Sequence, residues 1–379
     1  MPKVQTLRGM NDISPREAKE WSHVESTLKS IVESYGYEEI RFPLIEKTDL
    51  YTRSNHAADI VTKEMYTFND KSGESISLRP EGTAGCVRAA IDNDLIRTEK
   101  PRLWYSGPMF RYERPQKGRS RQFHQFSAEV IGLNTPAIDA ELIITSARFW
   151  KEFGIYEDVT LEINNLGDEK TRTNFSNELV SFLKNKIDDL DEDTQRKLKE
   201  NPLRILDSKN PKIQDILDKA PLIEDFISED SRKYHSELLS ILDESNIEYK
   251  ANPKLVRGLD YYNQTVFEWK TTLLGSQDTI LGGGRYDNLV EELGGKSCPA
   301  IGFSIGLERL LLLLREKKQI NLSESLDIYF ISLCERSARK AIIVTEILRN
   351  KFPSLSVKTN LGLESVSSQF KKADKSGAK

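Results

Sequence analysis

The chain has few of the residues that build metal centres or disulfide frameworks. Its 379 residues include only three cysteines and four histidines, which lie far apart, and no two cysteines have a CxxC spacing. A disulfide scaffold and a zinc site are therefore not expected. We expect Cys86, Cys298 and Cys334 to be buried thiols of a protein in a reducing compartment, the cytoplasm.

Long apolar runs and a strong excess of one charge are also missing. The longest leucine run, Leu310–Leu314, is far too short to span a bilayer, and the first residues lack the apolar core of a signal peptide. We therefore expect no membrane contact. The 55 basic and 59 acidic residues nearly balance, so any contact with RNA must come from local basic patches.

The most informative segment is Leu103–Gly132, LWYSGPMFRYERPQKGRSRQFHQFSAEVIG. It predicts two antiparallel strands joined by a loop over Arg114–Arg121. This loop carries four Arg or Lys residues and no acid. It is too long and too basic for a plain hairpin turn.

The second predicted strand alternates between two kinds of side chain. Because successive residues of a strand point to opposite faces, one face is mainly apolar and the other mainly polar. The faces hold, respectively, His124, Phe126, Ala128 and Val130, and Phe123, Gln125, Ser127 and Glu129. On the first strand Met109, Arg111 and Glu113 share a face. A cation beside a stacking ring fits an adenine nucleotide, although a solvated sheet face with a charged loop remains the simpler alternative.

Two further segments hold polar side chains next to turns. In SLRPEGTAG a strand stops at Pro80, and Glu81 and Thr83 follow, which also fits an ordinary turn with a helix cap. In LVRGLDYYNQTVFE, Arg257 lies close to two tyrosines, although a structural pair between Arg257 and Asp260 is an alternative.

The third segment runs from LGGGRYDNLVEELGG to PAIGFSIGLERLLLLL. Glycine triplets alone are poor indications of phosphate binding, since many only permit close packing. The second half predicts a strand over Ile301–Gly306 that leads into a helix near Leu307, with Arg309 in its first turn. Such a helix start favours an anionic group.

Together these segments resemble a known family. FRYE, the basic loop and RQFHQF resemble motif 2 of class II aminoacyl-tRNA synthetases, IGLERL resembles motif 3, and IRFPLIE resembles motif 1. LRPEGTA, LVRGLDYYNQTVFE and GGGRYD resemble histidyl-tRNA synthetases in particular. The resemblance covers the chain in order, beginning with RGMNDISP at Arg8.

The resemblance implies an aminoacyl-tRNA ligase that attaches L-histidine to histidine tRNA through a histidyl-adenylate, with ATP as substrate and Mg²⁺ as cofactor. It places Arg111 and Arg257 at catalysis, Glu81, Thr83, Gln125, Glu129, Tyr261 and Tyr262 at histidine, Arg111, Glu113, Phe123 and Arg309 at ATP, and Arg114, Gln116, Arg119 and Arg121 at the tRNA acceptor end. The chemistry agrees, because a carboxylate and a phenol satisfy the donor and acceptor of neutral imidazole. No metal ligand is identified.

The implied fold is α+β, with a class II synthetase-type antiparallel sheet flanked by helices. We expect a catalytic domain in two parts, residues 1–168 and 246–323, interrupted by a helical insertion over 169–245. A partial anticodon-binding domain of α/β type follows over 324–379, where a βαβ pattern starts but the elements that continue it in the family are missing. Tyr35–Glu46, strand-like with Pro43 inside it, corresponds to the pairing motif of the class and predicts a homodimer.

Two other functions fit parts of the sequence. One is a synthetase-like regulatory subunit of ATP phosphoribosyltransferase, which the short C-terminal segment favours and the loop RPQKGRSR opposes, since such a subunit needs no contact with tRNA. The other is a scaffolding module on the same fold, which the intact set of ligand-binding side chains opposes.

Overall fold

The computed structural model describes residues 3–53, 58–275, 278–320, 326–362 and 364–378. The chain forms two compact units, residues 1–320 and 321–379. The helices of the first unit are α1 Pro15–Ser34, α2 Thr48–Thr52, α3 Thr83–Asp92, α4 Leu95–Thr98, α5 Pro136–Glu152, α6 Glu169–Lys184, α7 Glu192–Glu200, α8 Pro211–Leu217, α9 Glu229–Glu244, α10 Leu289–Glu292 and α11 Leu307–Glu316. Its strands are β1 Glu38–Glu39, β2 Ile45–Lys47, β3 Thr67–Asn69, β4 Ser75–Leu78, β5 Arg102–Phe110, β6 Gln122–Ile131, β7 Thr160–Asn165, β8 Tyr249–Ala251, β9 Asn263–Lys270, β10 Thr279–Arg285 and β11 Ala300–Gly306.

A central sheet of eight strands organises the first unit. Its order is β1-β5-β6-β11-β10-β9-β7-β8, and only the outermost pairs, β1 with β5 and β7 with β8, are parallel. A small antiparallel sheet, β2-β4-β3, is formed by the residues between β1 and β5 in sequence. This arrangement confirms the predicted antiparallel sheet flanked by helices.

The apolar face of β6 forms part of the main core, as the alternation predicts. Phe126, Ala128 and Val130 are fully buried, and the rings of Phe126 and Trp104 stack with centroids 5.3 Å apart. Helix α1 begins at Pro15 with a capping box between Ser14 and Glu17 and packs its apolar side into the same core. Truncating Phe126 to alanine would cost roughly 3–5 kcal/mol, as for other large buried rings.

The segment 169–245 is helical, as predicted. Apolar side chains of α6, including Phe175, Leu179 and Leu183, share a core cluster with Tyr261 and Tyr262. The segment therefore packs beneath the loop that follows β8. It belongs to the same compact unit as the sheet, and its status as a separate domain remains a prediction.

The second unit contains β12 Ile328–Phe330, α12 Glu335–Lys351, β13 Val357–Thr359 and α13 Val366–Lys375. The pairing of β12 with β13 is parallel, which confirms the predicted βαβ pattern. Ile343 and Ile347 on α12 are 58% and 60% exposed, so an apolar side of this helix faces solvent.

The expectation of three buried thiols is wrong for one of them. Cys86 is buried and Cys298 is partly buried, but Cys334 is exposed. Cys334 is the residue before α12, where its backbone N–H bonds to the hydroxyl of Ser337, and the first turn of this helix lies at the surface. No helix in the described part of the chain is long and apolar enough to cross a membrane.

Candidate active site

The basic loop is longer than the alternation predicts. Strand β5 ends at Phe110, so Arg111 and Glu113 lie on the loop and not on the strand. The N–H of Arg111 still bonds to the carbonyl of Arg121 (2.9 Å), but the N–H of Glu113 then bonds to the carbonyl of Arg111 (2.8 Å). This tight turn takes the chain away from the sheet at a point where the side-chain pattern alone still fits a strand.

A cavity of about 180 Å³ opens beside this loop. It gathers six residues predicted to bind ATP or histidine, or to act in catalysis, from segments far apart in sequence: Arg111, Glu113, Phe123, Gln125, Arg257 and Arg309. The guanidinium carbon of Arg111 lies 5.0 Å from the centre of the Phe123 ring, which confirms the predicted cation beside a ring.

Cations dominate the wall of the cavity. Arg309, in the first turn of α11, donates from Nη1 to the carbonyl of Thr279 (2.7 Å) and from Nε to that of Gly118 (3.2 Å). Burial, together with the nearby charges of Arg119 and Arg111, lowers the pKa of Arg309. Like charges gathered in a partly desolvated space are unfavourable, and a bound anion would add to the compensation that nearby carboxylates give. The cavity therefore suits a polyanionic ligand.

Arg119 lies in this cavity, although it was predicted to meet tRNA. Its Nε is 2.7 Å from Oε2 of Glu113, the acid immediately before the predicted loop. The loop itself holds no acid, as the sequence shows, but Glu113 just before it supplies Arg119 with an acidic partner. The backbone N–H and carbonyl groups of Gln116 and Arg119 bond reciprocally, and this turn directs Arg119 inward while Arg114 and Gln116 remain exposed. Arg121 stacks on a tyrosine, with its guanidinium carbon 3.8 Å from the ring centre of Tyr112.

A buried carboxylate lies deeper, at the far end of the polar face of β6. Glu129 is 1% exposed, and its Oε1 accepts hydrogen bonds from the hydroxyls of Thr83 (2.9 Å) and Tyr105 (3.0 Å). Its Oε2 accepts one from the hydroxyl of Tyr286 (2.5 Å). Burial raises the pKa of Glu129 to about 8, against the opposing effect of the three hydroxyls.

Glu81 forms the helix cap that its sequence suggested and also contacts a second buried side chain. Its carboxylate accepts the backbone N–H groups of Thr83 (2.6 Å) and Ala84 (3.0 Å) at the start of α3. The hydroxyl of Tyr261 lies 3.4 Å from the same carboxylate, and the rings of Tyr261 and Tyr262 are 4.8 Å apart. Glu81, Thr83, Glu129 and the two tyrosines thus form one buried cluster.

Arg257 connects the cavity with the buried cluster. It lines the cavity, and its guanidinium carbon lies 5.6 Å from the ring centre of Tyr262. Its ionic partner is Glu268 and not Asp260, whose Oδ1 instead accepts a hydrogen bond from Asn201 (2.7 Å). The structure therefore does not support the alternative of a structural pair between Arg257 and Asp260.

The glycine triplet of β10 makes room for this arginine. A Cβ on Gly282 would overlap the guanidinium of Arg257, so a side chain at this position would displace that guanidinium. The Nε of Arg257 and the Oε1 of Gln125 are buried and lack a hydrogen-bond partner among the described residues.

Sequence reasoning missed the roles of Tyr105, Tyr286 and Gly302. Gly302, on β11, pairs with Glu129 on β6, and a Cβ on Gly302 would overlap the carboxylate. The register of β5 and β6 pairs Leu103 with Glu129, so the alternation places Tyr105 on the Glu129 face. This signal was present in the sequence, whereas the approach of Tyr286 depends on the pairing of β10 with β11. The described residues contain no cluster of three or more His, Cys, Asp or Glu side chains suited to a metal ion.

Comparison with known proteins identifies the family. The sequence model of histidyl-tRNA synthetases matches residues 9–310. This chain belongs to the histidyl-tRNA synthetase family. The apo histidyl-tRNA synthetase of S. aureus is 35% identical, with a TM-score of 0.82 over 99% of this chain and 90% of that one. The class II synthetase fold is thereby confirmed.

More distant structures share the fold. A structure described as an ATP phosphoribosyltransferase regulatory subunit/histidyl-tRNA synthetase from Bacillus halodurans is 21% identical, with a TM-score of 0.70 over 98% of this chain and 97% of that one. The histidyl-tRNA synthetase of Nostoc sp. PCC 7120 is also 21% identical, with a TM-score of 0.70 over 99% and 90% of the two chains. At this identity the likeness concerns the fold alone.

Proposed function

We propose that this member of the family is a cytoplasmic histidine–tRNA ligase, which activates L-histidine with ATP and transfers it to histidine tRNA. The observation that carries the proposal is the junction at Arg257, where a cationic cavity meets a buried cluster of two carboxylates and several hydroxyls. A polyanion and an imidazole are two very different ligands, and this site offers a separate environment to each.

In the first step a carboxylate oxygen of histidine attacks the α-phosphorus of ATP. A new P–O bond forms while the bond to the bridging oxygen breaks, and pyrophosphate leaves with the electron pair. The obstacle is the repulsion between two anions, so fixed cations lower the barrier without a covalent enzyme intermediate. Arg111 and Arg257 would lie beside the reacting groups, with adenine stacked on Phe123 and Arg309 at the opposite side of the nucleotide.

The buried cluster would hold the amino acid. Gln125, Glu81 and Thr83 would hold the α-amino group, while Glu129 and Tyr262, with Tyr261 beside them, would bind the imidazole. When Glu129 is ionised, three of its four acceptor positions are taken by hydroxyls, which leaves one on Oε2 for a ring N–H. A residue that lacks a ring donor would leave this acceptor unsatisfied and be rejected.

Mg²⁺ would enter with the phosphates of ATP. This ion commonly keeps several waters and uses one or two protein carboxylates together with the phosphates. Glu113 and Glu308 are the carboxylates that line the cavity, so the residues present fit such a site. When bound, the ion would neutralise charge on the phosphates.

Transfer to tRNA would follow at the mouth of the same cavity. A ribose hydroxyl at the end of the tRNA attacks the carbonyl of the adenylate and releases AMP. Arg114, Gln116 and Arg121 lie on the loop at this mouth and would contact the acceptor end, because exposed cations and amides bind phosphates. Arg119 would join them only by leaving Glu113.

We also propose a homodimer formed through the segment around Pro43. A groove of about 550 Å³ runs along this segment and β5, with Phe42, Leu44 and Trp104 in its lining, and Leu44 is 42% exposed. A second copy of the chain would cover these apolar side chains. Light scattering at micromolar concentration should give the mass of a dimer, and a monomer would contradict this assignment.

Histidine-dependent exchange between ATP and pyrophosphate tests the enzymatic proposal. The purified chain should catalyse exchange with histidine but not with other amino acids, and it should charge histidine tRNA. The alternative, a regulatory subunit of ATP phosphoribosyltransferase, is not favoured, because the cavity keeps its full set of cations. A folded chain that lacks exchange activity and stimulates ATP phosphoribosyltransferase would reverse this choice.

A further inference from the structure

The loop that carries Arg257 is held by side chains of the helical segment 169–245. Arg204 donates from Nη2 to the carbonyl of Gly258 (2.7 Å), and Asn201 donates from Nδ2 to Oδ1 of Asp260 (2.7 Å). The bond from Arg204 holds the main chain at Gly258, next to Arg257, whose side chain lines the cavity.

Two more contacts continue at the same spacing. Arg172, on α6, donates from Nη1 to the carbonyl of Tyr262 (2.7 Å), and Ser231, on α9, donates from Oγ to Oε1 of Gln264 (2.9 Å). Every second residue from 258 to 264 is therefore held by the same helical segment. Gln264 has a φ of 45°, a left-handed conformation that a side-chain-bearing residue keeps only where its surroundings impose it.

The same helices reach a second part of the site. Arg196 and Arg204 form ion pairs with Asp59, at 3.4 Å and 3.7 Å. Asp59 precedes a π-helical turn whose last residue, Glu64, accepts the backbone N–H of Tyr112 through its carbonyl (2.6 Å). The segment is thereby connected to the loop that carries Arg111 and Arg119 as well.

We propose that residues 169–245 position the histidine-binding loop, with Arg172, Asn201 and Arg204 as the positioning residues. The residues that line the cavity do not include these three, so they act through Arg257, Tyr261 and Tyr262. The inference rests on the proposed function and deepens it: the affinity for histidine is set partly by a module outside the catalytic sheet.

Two arginine variants and a matched control test this proposal. Arg172→Ala and Arg204→Ala each remove a guanidinium bonded to a carbonyl of the loop. Arg232→Ala is the control, because Arg232 makes the same kind of bond (3.1 Å) to the carbonyl of Glu224 within the helical segment itself. Steady-state assays of ATP–pyrophosphate exchange give KM for histidine and for ATP. Amide hydrogen exchange measures the protection of backbone amides 258–264.

We expect KM for histidine to rise about tenfold in each loop variant, the scale of one lost hydrogen bond to a charged group. In Arg172→Ala, KM for ATP should change by less than about twofold, whereas Arg204 also pairs with Asp59 on the ATP side. Amides 258–264 should exchange faster than in the control, and Arg172→Lys should restore part of the affinity. Equal rises for both substrates in Arg172→Ala, or loop variants that match Arg232→Ala, would overturn the proposal. If Arg172→Ala fails to fold, Asn201→Ala, which removes the contact with Asp260, gives the same comparison.

The hydrogen-exchange measurement separates this proposal from the proposed function. If the unmodified chain lacks histidine-dependent exchange activity, the enzymatic assignment fails while amide protection still tests positioning. Faster hydrogen exchange of amides 258–264 in the loop variants than in the control then supports the role of the helical segment. Unchanged protection overturns it.

Discussion

Replacing Glu129 by glutamine should change how the stability of residues 1–320 depends on pH. The carboxyl is 1% exposed, and its pKa is raised from 4.5 to about 8 by burial. Glutamine keeps the shape of the side chain but cannot ionise. The comparison therefore isolates the cost of placing a negative charge at this position.

The sign follows from where the proton is held. Below pH 4.5 the carboxyl is protonated in both states, and between pH 4.5 and 8 only the folded state keeps the proton, so stability falls as pH rises. Since one pKa unit corresponds to about 1.36 kcal/mol, the loss should reach roughly 5 kcal/mol above pH 8. The glutamine variant should lack this loss, although weaker bonds to the three hydroxyls add a pH-independent cost of about 1–3 kcal/mol.

Tryptophan fluorescence during urea denaturation measures the effect in the relevant unit. The four tryptophans, Trp21, Trp104, Trp150 and Trp269, all lie in residues 1–320. Unfolding free energies of both proteins at pH 5, 7 and 9, at one protein concentration, give the difference at each pH. Glu178→Gln, an exposed position on α6, is the control for loss of a surface carboxylate.

A difference that stays constant within about 0.5 kcal/mol from pH 5 to 9 would refute the reasoning, since a shift of even one pKa unit exceeds that value. It would mean that the hydroxyls of Thr83, Tyr105 and Tyr286 stabilise the ionised carboxylate as well as water does. Glu129 would then meet imidazole as a permanent anion.

Three further predictions concern catalysis and substrate choice. Arg257→Ala should reduce adenylate formation, measured by pyrophosphate exchange, by about a hundredfold or more, because one preorganised contact to the reacting groups is lost; a loss below about fivefold would remove Arg257 from catalysis. Gly302→Ala should raise KM for histidine far more than KM for ATP, since the new Cβ would displace Glu129; equal rises would contradict this. Replacing Arg114 and Gln116 by alanine should weaken charging of tRNA and spare exchange, and parallel losses in both assays would reject the division of roles.

The sequence predicted those parts of the site that depend on local alternation. The two faces of β6, the helix start that carries Arg309 and the parallel pattern of the second unit all follow from spacings within a few residues, and the structure confirms them. The end of β5 was missed because alternation of side chains continues through Arg111 and Glu113 after the backbone has turned.

The missed features depend on contacts between distant segments. Tyr286 meets Glu129 only because β10 and β6 both pair with β11, and Arg119 faces inward only because its loop folds back on Glu113. Arg257 likewise pairs with Glu268 and not with Asp260, which is closer in sequence, because the fold brings Glu268 next to it. The sequence indicated which charged and aromatic side chains could bind a ligand. It did not indicate which residues they contact, because those contacts depend on the fold.

The strand order has a consequence for synthesis of the protein on the ribosome. Strand β6 pairs with β11, so residues 122–131 acquire their second neighbour only after residues 300–306 have been made. Until then the growing chain holds an open sheet edge next to the apolar residues Phe126, Ala128 and Val130. Unpaired edges of this kind associate readily with other chains, and pairings over such long separations form slowly. We therefore expect the nascent chain to need protection by chaperones during the interval between synthesis of these two strands.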